Sequence, residues 1–519
     1  MGKPAAPPVF KLITRREPLP CWLLWLSACI FFSALYLLTA QRGVSWQDSG
    51  MFQWRILTDD YIGNHGLALA HPLYIAIGKI FLLLPLGQVP AKLNSTSGIG
   101  MAIALANLMI LATGITGRQW IGFVTAAMVS MMHTVWWLAT IAEVYTWHAA
   151  LFTTELIALV QLIKKPRWET ATILFFFNGI NLSIHNLALL TLPIHAATVI
   201  ILLLKKTIPF KSIVAACLAY GSGASFFLIL MFYQIVHSGD IMRAVKSALF
   251  GSAYFSAVVA INPFGKYFKI NAALITLNFT SAILPLAMVG WFHMYRRIGG
   301  FLTAILAAIT SIELVFAIRY PVPDQFTFFL PSLIMIAVAS SVGISSLASK
   351  SSRWHHMVMG ACLCSLLISP IFYAGAPYLA LKMGINVHRA RELPFRDEMR
   401  YWIVPWKHNE RSAELFARAA LGEAGERGII VCDGTSLYPL KITQLLEQRA
   451  PEVTLYTVFE IKRLLQKHDD RVLEAIKAGH VFVISPALDF APDNLAHHLT
   501  TIREQGRILY RVVWDQESL

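Results

Sequence analysis

The sequence predicts a polytopic α-helical membrane protein with a C-terminal α/β domain. Three observations predict it. Of 519 residues, 56% are hydrophobic and only 14% are charged, whereas a soluble chain carries about a quarter. Apolar stretches long enough for a hydrocarbon core of about 30 Å recur through residues 19–376. From about Tyr378 the pattern changes to short apolar runs alternating with amphipathic stretches. In lipid a helix satisfies its own backbone hydrogen bonds, so the spans read as helices.

Residues 1–18 form an N-terminal segment with Lys11, Arg15 and Arg16 ahead of the first apolar run at 19–39. That run is longer than a signal-peptide core, so it reads as an uncleaved first span. Residues 40–97 form one large loop carrying Asp48, Asp59, Asp60, His65 and His71. Further spans are expected at 98–116, 119–139, 144–163, 168–184, 186–204, 212–236, 270–293, 299–318, 326–348 and 355–376. The count is about 11.

Basic clusters set the orientation. They fall at Lys11/Arg15/Arg16, Arg118, Lys164/Lys165/Arg167, Lys205/Lys206/Lys211, Arg296/Arg297 and Lys350/Arg353. With the N-terminus in the cytoplasm, each later cluster also falls there, as the positive-inside rule requires. The condition is that 67–86 does not cross. It contains His71, Pro72, Gly78, Lys79 and Pro85, which suit an interfacial or re-entrant helix. The loop at 40–97, the segments near 140–143, 185 and 319–325, and residues 377–519 then share the outer side.

The C-terminal segment reads as a small domain with a largely parallel sheet. Strands are expected at 428–432, 453–456, 481–484 and 508–513, and helices at 436–449, 458–477 and 493–504. Asp433-Gly434-Thr435 after the first strand reads as a turn and helix cap rather than an anion cup.

The net charge of +14 is spread over span ends. It argues for contact with membrane lipids and against nucleic acid. Cys432 is alone in the C-terminal segment, which excludes an internal disulfide there, and Cys362-x-Cys364 lacks the partners of a zinc site.

The polar residues collected on the outer side are candidates for chemistry. Asp48, in Trp46-Gln-Asp-Ser-Gly50, is a candidate general base, or else a cap for the helix that follows it. Glu143 and Tyr145 stand at the mouth of a span, with His148 and Glu155 on one face of the helix beyond. Acids at such depth either pair between helices or face a cavity. His185 in Asn181-Leu-Ser-Ile-His185, and His71, are candidates for a donor phosphate or for structural roles. Arg319 could fork onto a phosphate or reach for the interface. The outer acids could hold a divalent metal, but no fixed spacing compels it.

Five segments in order resemble the transmembrane protein O-mannosyltransferase-like family of the GT-C superfamily. They are Trp46-Gln-Asp-Ser-Gly50, Ala70-His-Pro-Leu-Tyr74, Ile141-Ala-Glu-Val-Tyr145, Asn181-Leu-Ser-Ile-His185 and Val322-Pro-Asp-Gln-Phe-Thr-Phe-Phe-Leu-Pro331. The resemblance covers most of 40–335. It implies a GT-C fold and transfer of a sugar, often mannose, from a polyprenyl-phosphate donor to an acceptor protein or glycan. It places the acid after the first span at Asp48, and the family motifs at His71, Glu143 and Tyr145. The chain departs from the family at His71-Pro-Leu-Tyr74, where relatives read His-Pro-Pro-Gly-Tyr-Pro. Localisation is expected in a bacterial inner membrane, with 377–519 in the periplasm. The competing readings are a transporter or flippase of lipid-linked sugars, and an envelope scaffold acting through its C-terminal domain.

Overall fold

The computed structural model describes residues 19–85, 87–251, 255–260, 264–265, 267–384, 393–487, 490–491 and 499–514. The expected cytoplasmic segment 1–18 lies outside them. Every one of the apolar stretches is helical, but they are not 11 straight spans. Six helices are long and apolar enough to cross a membrane: Cys21–Thr39, Val89–Thr116, Tyr145–Lys164, Gly300–Arg319, Gln325–Ala348 and Ser352–Lys382. Three further pairs qualify only together. Gln119–Ser130 with His133–Ala139 bends by 75°, Lys211–Gly223 with Ser225–Ser238 by 68°, and Phe268–Phe279 with Ile283–Ile298 by 79°.

By length and composition, six to nine helices or bent pairs among the described residues can cross a membrane, so the count of 11 is not confirmed. The shortfall is the pair read at 168–184 and 186–204. Each forms a helix of 17 residues, Trp168–Ile184 and Ala188–Leu204. At 1.5 Å per residue such a helix rises about 26 Å, short of a core of about 30 Å. The stretch at 67–86 contains only a short turn and the 11-residue helix Pro72–Leu82. The loop read as 40–97 ends earlier, because a helix begins at Val89.

The bends are possible because side chains pick up the backbone groups they free. The Tyr373 hydroxyl, on Ser352–Lys382, reaches the carbonyls of Met131 (3.1 Å) and Leu277 (2.9 Å). Ser365 Oγ accepts from the Ala282 amide at 3.0 Å. Glycine lets the helices at 283–298 and 330–348 touch backbone to backbone. A Cβ on Gly290 would lie 1.7 Å from the Ala339 carbonyl oxygen, and one on Gly343 1.9 Å from that of Leu286.

The C-terminal sheet has five strands: β1 (Ile429–Cys432), β2 (Thr454–Thr457), β3 (Val481–Val483), β4 (Leu499–Ile502) and β5 (Tyr510–Trp514), in the order β2-β1-β3-β5-β4. The pairs β1–β2 and β1–β3 are parallel, while β3–β5 and β4–β5 are antiparallel. The sheet is thus mixed, because its last two strands return as a hairpin. Part of the helix expected at 493–504 is instead edge strand β4; residues 493–498 lie outside the described set. The helix read at 458–477 is two, Val458–Gln466 and Asp470–Lys477, broken where His468 takes a left-handed φ of 53°.

Alternation along β1 divides the packing. Ile429 and Val431 join a small core with Ile461, Val472 and Ile476, while Ile430 and Cys432 join the core that runs on into the membrane helices. Hydrogen bonds lock the two parts together: Trp46 Nε1 to Ser412 Oγ (2.8 Å), Lys407 N to Thr39 O (2.7 Å) and Thr140 Oγ1 to Pro405 O (2.8 Å).

Candidate active site

The end of the bundle that meets the sheet domain holds a cavity of about 1220 Å³. Three parts of the chain wall it: the helix Gln47–Leu57 with its following loop, the membrane-helix ends at Trp137, Glu143 and Asp324, and the C-terminal domain at Arg396, Asp433 and Lys441. A smaller cavity of about 240 Å³ lies by His480 and Arg507 and holds none of the candidate residues.

Asn94, in the first turns of Val89–Thr116, organises the site. Its Oδ1 accepts from Ser45 Oγ (3.1 Å), Gln53 Nε2 (3.0 Å) and the Ala142 amide (3.0 Å), and its Nδ2 donates to the carbonyls of Gln41 (3.0 Å) and Gly43 (3.1 Å). One turn on, Ser97 Oγ accepts from the Glu143 amide at 2.7 Å. The segment 41–45 and the turn at 142–143 are thereby held side by side. The Glu143 carboxylate then meets Ser49, whose hydroxyl donates to Oε1 at 2.7 Å.

Asp48 stands in the first turn of Gln47–Leu57, where free backbone N–H groups favour a negative charge. Its side chain is open to the cavity. The surrounding protein raises its carboxyl above the ordinary 3.8, and nearby His65 draws it partly back. Burial raises Glu143 well above 4.5, with the Asp48 charge next, and Asp324 adds to it; the Ser49 hydrogen bond opposes. Asp324 is pushed up to about 7 by burial and by Asp48. Like charges this close resist joint ionisation, so the three titrate as a set that keeps a proton near neutrality. A carboxylate so tuned can take a proton from a hydroxyl.

His71, Tyr145 and His185 are brought together, but behind the cavity rather than in its wall. The His185 ring lies 4.9 Å from His71, 5.1 Å from Tyr145 and 5.8 Å from His148, between centroids. His71 Nδ1 donates to the Ile184 carbonyl at 2.8 Å, and burial pushes His71 down to about 3, so it is neutral. Deeper still, Glu155 accepts from Asn178 (3.0 Å), Asn181 (2.6 Å), Thr191 (3.2 Å) and His195 (3.0 Å). That is pairing between helices.

Arg319 is not in the cavity wall. It ends Gly300–Arg319, donates to the Ala260 carbonyl at 3.1 Å and lies over the Phe316 ring at 5.7 Å. Among the described residues, no three His, Cys, Asp or Glu side chains are grouped so as to hold a metal ion. Sequence reasoning did not select Asp324, Asn94 or Arg396. Asp324 had a signal, an acid directly after Pro323 at the foot of an apolar helix.

Comparisons with known proteins bear on the fold. The chain has the fold of ArnT from Cupriavidus metallidurans. The structure of ArnT bound to undecaprenyl phosphate superposes with a TM-score of 0.54 at 10% identity, over 95% of this chain and 97% of that one. The apo ArnT structure gives 0.52 at 12% identity over the same shares. The Archaeoglobus fulgidus oligosaccharyltransferase in its apo form gives 0.45 at 12%, over 85% and 65%. At these identities the likeness is one of fold. No curated protein matches the chain. The fold so defined is that of the ArnT structures. Within it, residues 65–208 match the family model described as Protein O-mannosyl-transferase TMEM260 N-terminal domain.

Proposed function

We propose that this chain transfers a sugar, mannose on the description of the matched domain, from a polyprenyl-phosphate donor to an acceptor hydroxyl on a protein or glycan. The carrying observation is that Asp48 opens into a large cavity within a set of three acids whose affinity for protons is raised. The acceptor oxygen attacks the anomeric carbon, and the bond from that carbon to the phosphate oxygen breaks. The lipid phosphate leaves with the bonding pair, while Asp48 takes the hydroxyl proton. Glu143 and Asp324 tune Asp48. His71, Tyr145 and His185 pack against one another behind the cavity.

ArnT, solved with undecaprenyl phosphate, supports a polyprenyl carrier by its fold. The basic clusters support a cytoplasmic N-terminus, and on this reading the cavity opens on the outer face, periplasmic in a bacterial inner membrane. On this reading 19–376 holds the carrier and 377–519 roofs the cavity. The comparisons favour a transferase over a flippase or scaffold. The test is incubation of the purified chain with a panel of polyprenyl-phosphate sugars. Wild type consumes one donor in the presence of an acceptor, and Asp48→Asn does not; donor consumption unaffected by Asp48→Asn would overturn the assignment.

A further inference from the structure

We propose that Arg396, in the link between the helix Ser352–Lys382 and the sheet domain, grips the phosphate of the lipid carrier; this rests on the transferase reading above. The cavity wall is rich in acids, so an anionic carrier needs oriented donors to dock there. The available cations differ in what remains free. Arg55 is spent on the protein, donating to the carbonyls of Asp60 (3.1 Å), Leu69 (3.1 Å) and Ala70 (2.6 Å). Lys269 and Lys441 offer single ammonium groups on flexible stems, with Lys441 lying 5.4 Å from the Trp54 ring centroid.

Arg396 is different because it is both fixed and incomplete. Its guanidinium lies between two rings, 5.4 Å from the Trp46 centroid and 4.4 Å from that of Tyr401. Nε and Nη2 both donate to Glu398 Oε1, at 2.8 and 2.6 Å. Glu398 is held in turn by Trp402 Nε1 at 3.0 Å. The Arg396 side chain is 1% exposed, yet Nη1 meets no acceptor in the protein. A buried guanidinium nitrogen without an acceptor is costly, and in the wall of a cavity the acceptor can come from a ligand. A phosphate supplies only acceptors and suits the planar fork. Trp46, which the guanidinium stacks on, is two residues before Asp48. Arg396 and Asp48 line the same cavity.

The shared chemistry is a phosphate oxyanion, which a lipid headgroup or free phosphate could provide. The test measures thermal shifts of the full chain in detergent with a short-chain polyprenyl phosphate, the matching polyprenol and inorganic phosphate. Wild type is expected to respond to the polyprenyl phosphate far more than to the other two. Arg396→Met should weaken that response by about tenfold or more, and Arg396→Lys should restore part of it. The unliganded melting point of Arg396→Lys controls for folding. Equal binding by Arg396→Met and wild type would overturn the proposal, as would a full response to inorganic phosphate alone. If wild type treats polyprenyl phosphate and polyprenol alike, the transferase reading itself fails, whatever the variants do.

Discussion

Replacing Asp324 by Asn removes one charge from the acid set while keeping its shape. Asp324 is lifted from 3.8 to about 7. That difference of about 3 units corresponds to at most about 4 kcal/mol, at 1.36 kcal/mol per unit, and water in the cavity reduces it. Burial is the larger cause and the Asp48 charge the second. Removing a neighbouring like charge should therefore lower the midpoint for Asp48 and Glu143 by about one unit. One unit below the wild-type midpoint, the ionised fraction of the base rises from about a tenth to about half, so transfer there increases about fivefold. The assay is kcat/KM against pH for sugar transfer. Stability follows the opposite sense. A carboxyl with a raised folded value stabilises fully below 3.8, and that contribution is lost as pH rises to about 7. Wild type should lose melting temperature across that window, and Asp324→Asn should lose less. A rate profile and a melting profile both unchanged by Asp324→Asn would refute the coupling of the three acids.

Other outcomes follow from the same contacts. Ser49→Ala removes the donor to Glu143 Oε1, so stability should fall by about 1–3 kcal/mol, read by unfolding in detergent. Glu155→Ala strands Asn178, Asn181, Thr191 and His195; unfolding in detergent should show a loss of about 3–5 kcal/mol. Gly343→Leu forces a side chain into the Leu286 backbone and should lower melting temperature far more than Gly114→Leu, where no atom lies within 4 Å of the added Cβ.

The helical membrane portion was legible because apolar runs are a local property. The bends were not. They fall at Met131–Met132, Ala224 and 280–282, where no proline or charge marks them, and they depend on distant partners such as Tyr373 and Ser365. β4 reads as helix in the sequence because an edge strand has few neighbours to impose a strong alternating pattern, although Thr500, Thr501 and Ile502 are β-branched. Asp48 stood out by its position after the first span. Its coupling to Glu143 and Asp324 exists only once Asn94 and Ser97 have drawn the loops together. Arg319 and Arg396 look alike in sequence. What separates them is the partner each finds, a backbone carbonyl for one and an aromatic stack with an open nitrogen for the other.

The most direct measurement is sugar transfer by Asp48→Asn, with the matched donor and acceptor, in protein whose melting temperature is that of wild type. Loss of about a hundredfold or more in kcat is expected when a positioned base is removed. Turnover within a few fold of wild type would contradict the account.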